Sequence, residues 1–95
     1  MEDFKKIAHK LVVEQKWQEL LELADNALTE LSNDSKNYNY ELAKIYYAKA
    51  QALYFCENLE QTKLYLDKIL ELEQSEYTIK AYGACAYIKL VHDSI

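Results

Sequence analysis

Apolar residues recur at three- and four-residue steps along most of this chain, which is the spacing of one face of a helix. The first such stripe lies within residues 3–14 and consists of Phe4, Ile7, Ala8, Leu11 and Val12. Polar residues at 14–16 interrupt it, and a stripe with a new phase runs from Trp17 to Leu31. Because the link has only three residues, we expect the two helices to be antiparallel.

The polar run at residues 32–37 predicts the main loop of the chain, since it is rich in turn-forming side chains. Asn37 is the candidate N-cap of a third helix, which carries apolar residues on overlapping faces over residues 38–56. Ser75 is the candidate N-cap of a fifth helix, which continues to about His92.

A fourth helix is predicted between these two. Asn58 followed three positions later by Gln61 has the spacing of a capping box, so the helix is expected to begin near Leu59. Its predicted buried stripe consists of Leu59, Thr62, Leu66, Ile69 and Leu70.

The composition agrees with a helical fold. The chain has 95 residues, of which 51% are hydrophobic, with one glycine and no proline. The residues that punctuate sheet proteins are therefore nearly absent, and the length suits one core rather than two. We predict a single all-α domain over residues 1–95.

A repeat is visible in the third and fifth helices. Ala50 and Ala84 are 34 positions apart, as are Leu53 and Tyr87, and 34 is the tetratricopeptide period. The chain therefore resembles, in degenerate form, the tetratricopeptide repeat (TPR) family, whose first helix has a small residue followed three positions later by a large one. The pairs here are Ala8 and Leu11, Ala50 and Leu53, and Ala84 and Tyr87. The first two pairs are 42 positions apart, and the polar loop accounts for the excess of eight.

The resemblance implies five antiparallel helices arranged as two helical hairpins and a C-terminal helix. Repeat 1 covers about residues 2–31, repeat 2 about residues 38–73, and the C-terminal helix about residues 76–92. The family's packing positions in the second helix of each repeat fall on Trp17, Leu20, Ala24 and Ala27, and on Leu59, Thr62, Leu66 and Ile69.

The resemblance also implies that the first, third and fifth helices line a concave binding groove. The groove positions carried over from the family are Lys5, His9, Val12, Tyr47, Gln51, Tyr54, Ala81, Cys85 and Ile88. Of the residues that clamp a peptide carboxylate in some family members, only Lys5 is compatible here. The apolar groove instead suits an amphipathic helix or an extended apolar segment. The alternative is that its tyrosines pack between neighbouring helices.

The fifth helix predicts an association surface, because Thr78, Lys80 and Lys89 are its only clearly polar residues between 77 and 91. A helix that is apolar on nearly all sides is expected to be covered. The candidate occupants are a second copy of the chain, which would make a homodimer through the C-terminal helix, a partner chain or bound cargo.

Several function classes are disfavoured by charge and by the reactive residues. The net charge is -5 and there is no arginine, so a nucleic acid partner is not expected. The N-terminus lacks the long apolar run of a secretory signal or a membrane span, which favours a cytoplasmic protein.

Cys56 and Cys85 have no metal-ligand spacing and are predicted to be buried, inert thiols rather than a disulfide. His9 and His92 stand alone, and a single glycine allows no phosphate-binding loop. We therefore expect no catalytic residues, metal or cofactor, and no enzyme activity.

Three functions remain open. The first is a non-catalytic protein interaction module that binds a partner segment in the groove. The second is a cytosolic chaperone of a secreted subunit, because the small acidic TPR-like chaperones of type III secretion are similar in size, charge and groove. The third is a small regulatory inhibitor that blocks a larger complex by covering its surface.

Overall fold

The computed structural model describes residues 2–33, 36–72 and 75–92, and within those ranges it contains helices and no strand. The helices are α1 (Glu2–Val13), α2 (Trp17–Glu30), α3 (Tyr38–Phe55), α4 (Leu59–Leu70) and α5 (Glu76–His92). The predicted all-α class is confirmed, and each predicted helix is present to within about a residue. Residues 34 and 35 of the polar loop, and residue 73 at the end of predicted repeat 2, lie outside the described residues.

The α1–α2 and α3–α4 turns are the same structure. Each first helix ends in a Schellman motif, in which two backbone N–H groups reach back to the last free carbonyls. In the first turn the Lys16 N–H donates to the Leu11 carbonyl at 2.9 Å, and in the second the Asn58 N–H donates to the Leu53 carbonyl at 2.9 Å. These two turns place α1 against α2 and α3 against α4 as antiparallel hairpins.

Two of the three predicted N-caps are formed. Asn58 Oδ1 accepts from the Gln61 N–H at 3.2 Å. Its reciprocal half is absent because the Asn58 N–H is already bound to Leu53 in the turn. Ser75 Oγ accepts from the Tyr77 N–H at 3.2 Å, and the Ser75 N–H donates to Thr78 Oγ1 at 3.1 Å, so two backbone N–H groups are satisfied by side chains at this helix start.

Asn37 occupies the predicted N-cap position directly before α3, but its side chain does not cap the helix. Its side chain makes no capping hydrogen bond, and its backbone, at φ -109° and ψ 32°, is not in the extended conformation that aims a cap side chain at the helix.

The central helix is α3, which packs on α2 on one side and on α4 on the other. It can do so because small side chains are buried on more than one of its faces, namely Ala43, Ala48, Ala50 and Ala52. Toward α1 and α2 the core includes Leu20 and Ile45, and toward α4 and α5 it includes Leu66 and Ile69. All four of these larger side chains are fully buried.

The predicted stripe of α4 is confirmed, since Thr62, Leu66 and Ile69 are buried and Leu59 and Leu70 pack against the same cluster. The buried Thr62 hydroxyl donates to the Asn58 carbonyl at 2.8 Å, so no polar group is stranded there.

A charged link joins α2, α3 and α4. Lys49 Nζ on α3 lies 2.6 Å from Asp25 Oδ1 on α2 and 4.5 Å from the centre of the Tyr65 ring on α4. Burial acts to lower the pKa of Lys49, but the hydrogen bonds to Asp25 and Tyr65 outweigh it and the pKa is raised. The ammonium therefore stays charged where it holds three helices together.

α3 and α5 run parallel and side by side. Tyr40, near the start of α3, bonds to Glu76 at the start of α5, and Tyr54, near the end of α3, bonds to His92 at the end of α5. Among the described helices, none is long and apolar enough to span a membrane.

Candidate functional site

An open cleft of about 220 Å³ lies between the parallel helices α3 and α5, over α4. Small residues, Ala50 on α3 and Ala84 on α5, line it between the aromatic side chains and leave it room. Its walls and floor are formed by Tyr47, Ala50, Gln51, Tyr54, Phe55, Thr62, Leu66, Ala84, Tyr87 and Ile88.

The cleft brings together four of the nine predicted groove residues. Tyr47, Gln51 and Tyr54 line it from α3, and Ile88 lines it from α5. Tyr47, Gln51 and Tyr54 are each half-buried, which leaves part of every side chain open to a ligand.

The other five predicted residues lie elsewhere. Ala81 is 0% exposed and belongs to the core, so it cannot contact a ligand. Cys85 is half-buried against the same core cluster. Lys5 and His9 are exposed and Val12 is half-buried on α1, which contributes no side chain to the cleft. The reason is that α1 packs chiefly on α2, whereas α3 and α5 pack on each other.

Sequence reasoning missed Phe55 and Tyr87 as lining residues. The repeat pattern assigns Tyr87 a packing position, because it is equivalent to Leu53, which is buried. Tyr87 is instead 55% exposed, and its ring contacts Tyr54 on α3. The sequence did contain a signal, namely a tyrosine at the position where the preceding repeat has Leu53. The hydroxyl of a tyrosine prefers water, so a tyrosine at a packing position is expected to be partly exposed.

One end of the cleft is an aromatic cluster centred on Tyr54. Its ring makes edge contacts with Phe55, Tyr87 and His92, at centroid distances of 5.1, 6.4 and 5.6 Å. The Tyr54 hydroxyl lies 3.0 Å from His92 Nε2. Burial, followed by a hydrogen bond with Tyr87, raises the pKa of Tyr54, so this hydroxyl stays neutral.

Beyond the other end of the cleft lie Lys5, Lys44 and Lys80, one lysine from each of α1, α3 and α5, which we call the basic rim; Lys44 in this set is paired with Glu41, with Nζ 3.0 Å from Oε2. The Tyr40 hydroxyl donates to Glu76 Oε1 at 2.6 Å. This hydrogen bond is the main reason why the pKa of Glu76 is lowered, and Lys80, Lys5 and Lys44 lower it further.

The basic rim adjoins the cleft through Tyr47. Lys80 Nζ lies 5.8 Å from the centre of the Tyr47 ring, and Tyr47 lines the cleft. A ligand that filled the cleft would therefore have lysine beside it at this end.

The prediction that both thiols are buried was wrong for Cys56. It ends α3 and is exposed, because the chain turns toward α4 there; Cys85 is half-buried, and both thiols are free. Among the described residues no three His, Cys, Asp or Glu side chains are grouped so that they could hold a metal ion.

No protein-family model, curated protein or solved structure matches this chain.

Proposed function

We propose that this protein is a non-catalytic, TPR-like interaction module that binds the apolar face of a partner helix in the cleft between α3 and α5. The observation that carries the proposal is the cleft itself, which is open, lined by aromatic residues and built on two parallel helices. Grooves of this kind bind amphipathic helices through apolar anchors one turn apart. Tyr47, Gln51 and Tyr54 are spaced along α3 at three- and four-residue steps, so they present one continuous strip to such a ligand.

The TPR-like part of the proposal is supported by two features. The α1–α2 and α3–α4 turns match at a separation of 42 positions, which is the interval between the first two motif pairs in the sequence. The first helices of successive repeats are expected to be parallel in such arrays, and α3 and α5 are parallel.

The charge distribution favours an acidic partner. α1 carries three lysines against two acidic residues, and α3 and α5 each carry two lysines against one. α2, by contrast, has four acidic residues and no lysine. An amphipathic helix whose polar side is acidic would meet the basic rim, and complementary charge improves both specificity and association rate.

The direct test uses two synthetic helical peptides of about 18 residues with leucines at i, i+3, i+4 and i+7. One has glutamates and the other lysines at the polar positions. We expect the acidic peptide to bind with a dissociation constant of about 10–100 µM and the basic peptide at least about tenfold more weakly. Binding is measured by fluorescence anisotropy, and backbone amide shifts should cluster at Gln51, Tyr54 and Tyr87.

Tyr54→Glu should weaken the acidic peptide at least about tenfold, because it places a carboxylate against an acidic ligand in an apolar cleft. Leu64→Glu is the matched control, since Leu64 is an exposed apolar residue on α4 outside the cleft. Circular dichroism establishes that both variants are folded. If Tyr54→Glu binds as well as Leu64→Glu, or if the basic peptide is preferred, the cleft proposal is wrong.

The cytoplasm is the compartment we propose, because both cysteines are free and one is exposed, which suits a reducing environment. An interaction module of this kind could act as a chaperone of a secreted subunit or as an inhibitor of a larger complex. The state of the partner that it binds distinguishes the two. A partner that is unstable on its own indicates a chaperone, and an already folded complex indicates an inhibitor.

A further inference from the structure

The outer face of α5 is apolar and turned away from the rest of the chain. Ile79 is 75% exposed, Tyr82 58% and Leu90 72%, and Gly83 and Ala86 between them are also exposed. At 3.6 residues per turn these five positions form one stripe along the helix. It lies opposite the face that is buried in the core, which includes Tyr77, Ala81 and Ile88.

Gly83 is the only glycine of the chain and lies in the middle of α5. A glycine weakens a helix interior relative to alanine. Nothing lies within 4 Å of the place where its Cβ would be, so the packing within this chain does not require a glycine. A second helix that crossed close to α5 at this point would require one, because its backbone could then approach without a clash.

We propose that this stripe is a homodimer interface, in which α5 packs antiparallel on α5 of a second copy and Gly83 faces Ala86 of the partner subunit. The stripe is self-complementary about a point between residues 84 and 85. Ile79 then lies opposite Leu90 of the partner subunit. Small residues meet at the crossing and large ones fill the space on either side, as a two-fold interface requires.

The area is sufficient for a weak dimer. The exposed side chains of the stripe present on the order of 500 Å² of apolar surface per copy, which is the size of patch that marks an association site. Pairing two copies removes about 1,000 Å² from water, which is near the lower limit for a specific interface. A dissociation constant in the micromolar range is expected for an interface of this size.

The charges on α5 are compatible with this pairing. Lys80 and Lys89 lie on opposite flanks of the stripe. In a two-fold antiparallel pair, each flank of one α5 lies beside the same flank of the partner subunit's α5, which runs in the opposite direction. Lys89 therefore lies beside Tyr82 of the partner subunit. Lysine over tyrosine is a favourable contact that the chain already makes, with Lys80 Nζ 5.2 Å from the centre of the Tyr77 ring.

The first experiment is light scattering behind size exclusion on the full chain. We expect a mass of about twice 11.2 kDa at about 100 µM, falling toward 11.2 kDa at about 1 µM. Ala86→Arg should give 11.2 kDa at every concentration, because it places a charge and a long side chain at the crossing. The matched control is Leu64→Arg, which alters an exposed apolar residue on α4 and should leave the dimer intact.

The variant Gly83→Gln distinguishes a role of Gly83 in dimerisation from a role in the stability of the monomer. It should raise the melting temperature of the dilute monomer, because glutamine is the better helix former. It should also weaken dimerisation at least tenfold by blocking close approach. A merely structural role for Gly83 would move both quantities in the same direction.

Cysteine cross-linking tests the register in a Cys56→Ser, Cys85→Ala background. An equal mixture of Ile79→Cys and Leu90→Cys chains should oxidise to a mixed disulfide dimer. Either chain alone should not, because identical positions are then about 16 Å apart along the helices.

A mass of 11.2 kDa at all concentrations overturns the dimer. Cross-linking of either single variant as readily as the mixture overturns the antiparallel register. Because Tyr54→Glu leaves the stripe unchanged, failure of the cleft proposal and failure of this one can be told apart.

Discussion

Gln15 and Glu57 have the same left-handed backbone conformation, with φ of 57° and 65°, at equivalent points of two turns 42 positions apart. Each is the residue after the C-cap of the first helix in a hairpin, and neither is the glycine that usually occupies this place. The chain turns there because two backbone hydrogen bonds reach back to the helix. The conformation is therefore imposed by the hairpin against the preference of the side chain.

Replacing Glu57 by glycine should stabilise the protein. Glycine adopts a positive φ without steric cost, so we expect Glu57→Gly to raise the free energy of unfolding by about 0.5–1 kcal/mol in urea titrations. Glu60→Gly removes the same charge from within α4 and should instead lower it by about 1 kcal/mol. If both variants were destabilised equally, the left-handed strain would not be relieved by glycine.

Phe55 anchors the end of α3 on the start of α2. Its ring stacks on Trp17 with centroids 4.3 Å apart and planes at 12°. We expect Phe55→Ala to cost about 1–2 kcal/mol and to shift the tryptophan emission to longer wavelength, because the indole loses its apolar cover. Trp17 is the only tryptophan, so emission reports this site alone. Phe55→Leu is the control that keeps most of the cover, and an equal red shift in it would argue against the stack.

Stability should fall in acid partly through Glu76. Its folded pKa is lowered below the usual 4.5, first by the hydrogen bond from Tyr40 and then by the lysines of the basic rim. A lowered carboxyl pKa contributes stability that is present above the unfolded pKa and is lost as the pH falls through the folded one. Between pH 5 and pH 3, Glu76→Gln should therefore lose less stability than the wild type.

The same comparison has two internal checks, each read from thermal melts across that pH range. Tyr40→Phe removes the largest cause of the shift and should behave like a weaker Glu76→Gln. Glu22→Gln, an exposed glutamate on α2 outside this cluster, should keep the wild-type response. An unchanged acid response in Glu76→Gln would mean that the hydrogen bond with Tyr40 does not stabilise the folded state.

The two thiols should react at different rates. Cys56 is exposed, whereas Cys85 is half-buried and its pKa is raised by burial and by Asp67. Because the thiolate is the reactive form, we expect a disulfide reagent to modify Cys56 at least about tenfold faster at pH 7.5. Cys56→Ser should abolish the fast phase and leave the slow one. A single phase in the wild type, with both thiols modified together, would contradict the difference in exposure.

The sequence by itself determined the helices and their hairpins. Three- and four-residue apolar spacing located the first four helices, and the capping side chains of Asn58 and Ser75 located the starts of the fourth and fifth. The 42-position interval between Ala8 and Ala50 reappears as the separation of the two hairpin turns. These features are local, since a helix face, a cap and a short link each depend on residues a few positions apart.

Only the tertiary structure decided which faces are covered. α5 is apolar nearly all round, so its spacing could not show that Ala81 is buried while Ile79 and Leu90 are exposed. The cleft depends on α3 and α5 lying parallel while α1 packs on α2, and the exposure of Cys56 depends on where a turn leads. Burial is a property of helix pairs far apart in the chain, and a helix that could bury any of its faces does not specify which one it buries.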